Sequence, residues 1–280
     1  MRSDVRTYAH DLAGAIGTML AIADLNAKRS IDPNAAAAAF ESITVTARNA
    51  GRLVDNLARA ATVAEGGSDS AYERDLDYLE SVHPALDAVA TELEKVGRSQ
   101  SIPIVDRETG RFLSVLVSAL QPQNILEIGT AYGYSTLWMA RAQGPRGKIL
   151  TIDPDRERTA LASGFFQRAG VAKQIEIVNR PALDVLPTLP KESYEFIFID
   201  ALKEEYPLYL AASVPLLKKR GMLAADNLLW GHAASQAPGP SDAETTQAVR
   251  RFNEELLKHP ALYAAIVPIG DGLGVATKVT

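Results

Sequence analysis

From Asn124 onward, short β-branched runs alternate with longer stretches of helical spacing, an alternation that admits few architectures. The runs cover residues 124–129, 148–153, 175–179, 195–200 and 222–226. Strands separated by helices have to run parallel, because each helix carries the chain back to the end of the sheet where it began. Two later apolar runs, 263–268 and 272–280, flank Gly270-Asp271-Gly272, a tight-turn signal that predicts a hairpin and so an antiparallel edge. The sequence thus predicts an open α/β sheet, mostly parallel.

The chain has 280 residues, 47% hydrophobic and 22% charged, which predicts one large α/β domain and an appendage. A net charge of −5 argues against a nucleic-acid partner, since phosphate backbones are held by clustered Lys and Arg. The chain has no cysteine, which excludes disulfides, thiolate zinc sites and cysteine nucleophiles. Any metal would need oxygen or histidine ligands. The longest apolar run, 12–25, contains Asp24 and is shorter than the roughly 20 residues of a membrane span. With no secretory signal pattern at the N-terminus, a cytoplasmic location is expected.

Residues 4–65 are alanine-rich, with Leu12, Ile16, Met19, Leu20 and Ala23 at helical spacing. Pro33 follows a break, and a second pattern runs through Phe40, Ile43, Leu53, Val54 and Leu57, predicting a helical hairpin. The polar, glycine-bearing stretch 65–70 marks a linker, so the predicted domains are 1–67 and 68–280. Further helices are expected over 72–96, interrupted near Pro84, and over 107–120, ending before Pro122.

The candidate chemistry lies at the strand ends. Glu127-Ile128-Gly129-Thr130-Ala131-Tyr132-Gly133-Tyr134-Ser135 forms a glycine-bearing strand-to-helix turn where a ligand can approach the backbone. It lacks the third glycine of a G-x-G-x-x-G pyrophosphate loop, which argues against a nicotinamide dehydrogenase. Asp153 follows Gly133 by 20 residues, close to the offset at which a carboxylate accepts from ribose hydroxyls. Asp200 ends the fourth strand, and Asp226 and Asn227 end the fifth. In an open parallel sheet all three face one crevice, as hard oxygen ligands suited to Mg²⁺, Mn²⁺ or Ca²⁺. The competing reading makes them helix caps and turn formers.

The segments ILEIGTAYGYSTLWMA, IDPDRE, NRPALDVLPTL, YEFIFIDALKEEY, GMLAADNLLWG and PIGDGLGVATK, in this order over residues 75–280, resemble the caffeoyl-CoA and catechol O-methyltransferase family. The resemblance implies a Rossmann-like S-adenosylmethionine-dependent fold with a seven-stranded sheet. It implies that Glu127, Gly129, Gly133 and Ser135 hold the methionine part of the cofactor, Asp153 the ribose, and Ala182 the adenine. It further implies Asp200, Asp226 and Asn227 as metal ligands and Lys203 as general base, with Asp200 in the catalytic and cofactor-binding sets as well. The implied reaction is divalent-metal-dependent methylation of a hydroxyl on a small phenolic or catechol-type acceptor. The alternative is a regulatory protein that binds S-adenosylmethionine without turnover.

Where the catechol-methylating branch carries an acidic residue after Asp-Gly-Leu, this chain has Gly274, leaving the acceptor open. Trp230 is a candidate wall of the acceptor pocket. His83, His232 and His259 stand apart and receive no role. The N-terminal hairpin is similar to the dimerisation hairpin of histidine kinases, with His10 at the phospho-acceptor position. No kinase ATP-binding segment follows it, so a homodimer is expected rather than phosphotransfer.

Overall fold

The structure, a computed structural model, describes residues 71–99, 104–231, 233–236 and 244–279. The predicted hairpin, His10 and the linker at 65–70 lie outside the described residues. The chain divides into two compact units, Met1–Ala88 and Val89–Thr280. In the first, helix α1 (Ala71–Val82) ends two residues before Pro84, whose ring cannot continue a helix. The His83 ring Nδ1 lies 2.6 Å from the Leu79 carbonyl, at the helix C-terminus.

The second unit begins within α2 (Ala88–Ser99) and continues with α3 (Arg107–Leu120), β1 (Asn124–Ile128), α4 (Tyr134–Gln143), β2 (Lys148–Ile152) and α5 (Arg156–Arg168). Next come β3 (Ile175–Val178), α6 (Ala182–Val185), β4 (Tyr194–Ile199) and α7 (Tyr206–Ser213). The chain closes with β5 (Leu217–Ala225), α8 (Glu244–Lys258), β6 (Leu262–Val267) and β7 (Leu273–Lys278). The seven strands form one sheet in the order β3-β2-β1-β4-β5-β7-β6. Strands β1 to β5 pair in parallel, and β7 runs antiparallel to both β5 and β6. The expected mostly parallel sheet with an antiparallel edge is present, with the last strand inserted inside the edge.

The topology explains the composition of the strands. Central strands packed on both faces need apolar residues at every position, and β1 and β4 are apolar except at Asn124, Glu127 and Glu195. On one face Leu126, Ile128, Ile197, Ile199 and Leu223 pack with Tyr206, Leu210, Phe252 and Leu256. Helix α8 contributes Val249, Phe252 and Leu256, an apolar stripe at helical spacing. Strand alternation turns Glu127 toward the opposite face. Helix α3 packs on α4, and Gly110 makes that approach possible: a Cβ there would lie 2.4 Å from the Trp138 indole nitrogen.

Strand order reverses between β1 and β4. In open α/β sheets this switch point opens a crevice at the carboxyl ends of the strands. Among the described residues no helix is long and apolar enough to cross a membrane.

Candidate active site

The turn after β1 is held from three sides. Gly129 has φ +102°, and a Cβ there would stand 1.9 Å from the Asp200 carbonyl oxygen, so this position presses directly on the end of β4. Gly133 (φ +81°) lies against Phe166, where a Cβ would come within 2.3 Å of the ring. Between them Ala131 takes φ +44°, an unfavourable region for a residue with a Cβ. Its amide donates to Asp153 Oδ2 at 2.8 Å, which holds the strained peptide in place.

Asp153 is buried at the end of β2 and also accepts from the Asp155 amide at 2.9 Å. Helix α5 is capped by Asp155, which accepts from the Glu157 and Arg158 amides, so Asp153 is not the cap residue. Asn179, which the sequence reading did not flag, donates to the Asp153 carbonyl at 3.0 Å and so ties the end of β3 to the same corner.

Glu127 sits beneath this turn with no exposed surface. Its carboxylate accepts from Ser135 Oγ at 2.6 Å, Thr136 Oγ1 at 2.5 Å and Thr151 Oγ1 at 2.6 Å. Burial pushes its pKa up to about 7, against the pull of the three hydroxyls. Thr151, itself a donor to Glu127, can accept from Thr130 Oγ1 at 2.6 Å, which gives the chain of hydroxyls one direction. Glu127 thus organises the turn from below, with Ser135, at the start of α4, bonded to it. Ala182 is buried at the first residue of α6.

The ends of β4 and β5 adjoin. Lys203 Nζ, almost wholly buried, donates to Asp200 Oδ1 at 2.7 Å and to the Tyr206 hydroxyl at 2.5 Å. Tyr206 donates onward to the Asp226 carbonyl at 3.1 Å, joining the two strand ends. The Asp226 carboxylate accepts from the Asn227 amide at 2.8 Å. Burial first, and the Asp200 charge second, push its pKa up to about 7. Asn227 has φ +60°, a left-handed conformation that Asn tolerates better than most residues.

Backbone bonds fix the loop beyond Asn227: the Leu228 and Leu229 amides donate to the Gly272 and Asp271 carbonyls. The Asp271 carboxylate accepts from the Gly231 amide at 2.8 and 3.0 Å, holding the turn at Trp230 (φ +51°). Trp230 is half-buried. Arg250 of α8 donates to the carbonyls of Ala233, Ala234 and Gln236, and Asn253 to that of Leu228. At Gly274 a Cβ would lie 2.5 Å from Leu228 and 3.0 Å from Leu256, so apolar side chains fill the space a longer residue would need.

Asp200 and Asp226 therefore lie close enough to repel, with Asn227 beside them. No group of three His, Cys, Asp or Glu residues suited to a metal occurs among the described residues. The ligands expected from the sequence are instead two carboxylates and one amide. Two neighbouring carboxylates, one paired with Lys203 and the other buried, are oxygen donors of the kind a hard cation takes.

A family model described as O-methyltransferase matches residues 81–279. The catechol O-methyltransferase of Mycobacterium tuberculosis is 37% identical over 61% of this chain and 79% of its own length. Caffeoyl-CoA O-methyltransferase 2 of Petunia hybrida is 32% identical over 76% and 92%. Among solved structures, the O-methyltransferase TomG of Streptomyces achromogenes, in complex with S-adenosylmethionine, superimposes with a TM-score of 0.66 at 31% identity, covering 72% of this chain and 95% of TomG. With the match spanning the whole sheet and its strand ends, the chain belongs to the O-methyltransferase family.

Proposed function

We propose that the chain transfers a methyl group from S-adenosylmethionine to a hydroxyl of a small aromatic acceptor, in the manner of the catechol and caffeoyl-CoA enzymes it is similar to, with a divalent cation on Asp200, Asp226 and Asn227. One observation carries this reading: Lys203, Asp200 and the end of β5 are hydrogen-bonded together directly against the Gly129 turn. The proposed donor site and the proposed acceptor site thus share a wall.

In this reading Ser135 and the Gly129–Gly133 turn hold the methionine end, Asp153 the ribose and Ala182 the adenine side. A Mg²⁺, Mn²⁺ or Ca²⁺ ion bound there would act as a Lewis acid and lower the pKa of the acceptor hydroxyl. Lys203 Nζ takes the hydroxyl proton. The oxygen lone pair forms the new C–O bond as the methyl–sulfur bond breaks, and its electron pair returns to sulfur, leaving a neutral thioether. Asp200 and the turn hold the reacting atoms in line, which supplies much of the rate. A vicinal dihydroxy acceptor fits best, since two neighbouring oxygens can chelate one cation.

The test is methylation of catechol and caffeoyl-CoA with and without EDTA. Turnover that EDTA abolishes and Mg²⁺ restores supports the reading. Asp226→Ala should remove the metal dependence while S-adenosylhomocysteine still binds. Undiminished turnover in that variant would exclude the metal role.

A further inference from the structure

We propose that Tyr206 is a positioning residue that aims the lone pair of Lys203 at the acceptor hydroxyl. The inference rests on Lys203 being the base, and it assigns a role to a residue that otherwise reads as core.

The hydrogen bonds around Tyr206 fit one set of directions. The Asp226 and Ile199 carbonyls, at 3.1 and 3.4 Å, can only accept, so the phenolic hydrogen points at them. The hydroxyl oxygen then faces Lys203 Nζ, 2.5 Å away, as an acceptor.

A neutral lysine has two N–H bonds and one lone pair. Asp200 Oδ1 takes one N–H and Tyr206 Oη the other. With Cε in the third tetrahedral position, a single direction remains for the lone pair, and the incoming proton has to arrive along it. Had Tyr206 donated to Lys203 instead, it would have occupied that lone pair and disabled the base.

The tyrosine is well placed for this task. It is fully buried at the first position of α7, followed by Pro207, and its ring packs on Phe252 at 5.1 Å and Tyr209 at 6.3 Å between centroids. A phenol locked in this way can hold an amine to within a narrow angle.

The test is a two-by-two set of full-length proteins: wild type, Tyr206→Phe, Lys203→Met and the double variant. Each is assayed with S-adenosylmethionine, Mg²⁺ and whichever of catechol or caffeoyl-CoA the wild type methylates. Tyr206→Phe should lower kcat by about 10- to 100-fold with both KM values within about twofold. In the Lys203→Met background it should cost nothing further, because there is no lone pair left to aim. A kcat within about twofold of wild type, or losses that multiply in the double variant, would overturn the proposal and leave Tyr206 as packing. Undiminished kcat in Lys203→Met would instead overturn the base reading itself, and a wild type that methylates neither compound would overturn the catechol-type methyl transfer on which both rest. A neutron structure of the wild type checks the same point without any substitution. Deuterium on Tyr206 Oη directed at the Asp226 carbonyl supports the proposal, and deuterium directed at Lys203 refutes it.

Discussion

Replacing Glu127 by Gln should flatten the pH dependence of stability. Glu127 is fully buried, and its folded pKa of about 7 lies above the ordinary 4.5. A raised folded pKa means that the folded state holds the proton more tightly than the unfolded chain does. The stability this confers is complete below about pH 4.5 and is lost as pH rises through about 7. A shift of roughly 2.5 units corresponds to about 3 kcal/mol, of which about 2 kcal/mol falls between about pH 5 and 7.5. For a unit of this size that is a fall in Tm of about 4–8 °C. Gln accepts and donates but does not titrate, so Glu127→Gln should lose most of this fall while other buried carboxylates keep theirs. The assay is differential scanning calorimetry of both proteins across that range at fixed ionic strength. Parallel Tm-versus-pH curves would refute the claim that Glu127 is ionised at the cost of folding stability.

Other substitutions test separate parts of the site. Gly129→Ala should destabilise the fold by about 3 kcal/mol or more, because its Cβ would stand 1.9 Å from the Asp200 carbonyl at positive φ; chemical denaturation checks this. Arg250→Ala, which frees the carbonyls of Ala233, Ala234 and Gln236, should raise the acceptor KM about tenfold and leave the calorimetric affinity for S-adenosylhomocysteine unchanged. An equal loss on the cofactor side would place that loop elsewhere in the mechanism.

The sheet was legible because its central strands are buried on both faces, so each became an apolar run bounded by turn residues. The predicted strand ends fall within about two residues of those observed, except at β5. That strand starts at Leu217, but Lys218, Lys219 and Arg220 read as loop because the strand begins on a solvent-facing stretch with a left-handed Arg220 (φ +65°). The insertion of β7 between β5 and β6 was hidden, since periodicity reports which face a residue occupies and not which strand lies beside it.

The acidic strand ends could be read as a constellation because the carboxyl rim of a parallel sheet collects them. Tyr206 could not, because a large buried aromatic beside a helix start reads as core; its one signal is the three-residue step from Lys203, which puts the two on one side of a helical turn. The hydroxyls around Glu127 depend on register. Thr151 stands directly opposite Glu127 across β1 and β2, and a threonine within KILTI opposite a glutamate within NILEI was the available clue.

The central claim is that Asp200, Asp226 and Asn227 share one cation beside the methyl donor. Anomalous diffraction from crystals grown with Mn²⁺ and S-adenosylhomocysteine tests it most directly. The account predicts one Mn²⁺ peak with an oxygen of each of the three side chains within about 2.0–2.6 Å. A bound S-adenosylhomocysteine with no peak among those oxygens would contradict it.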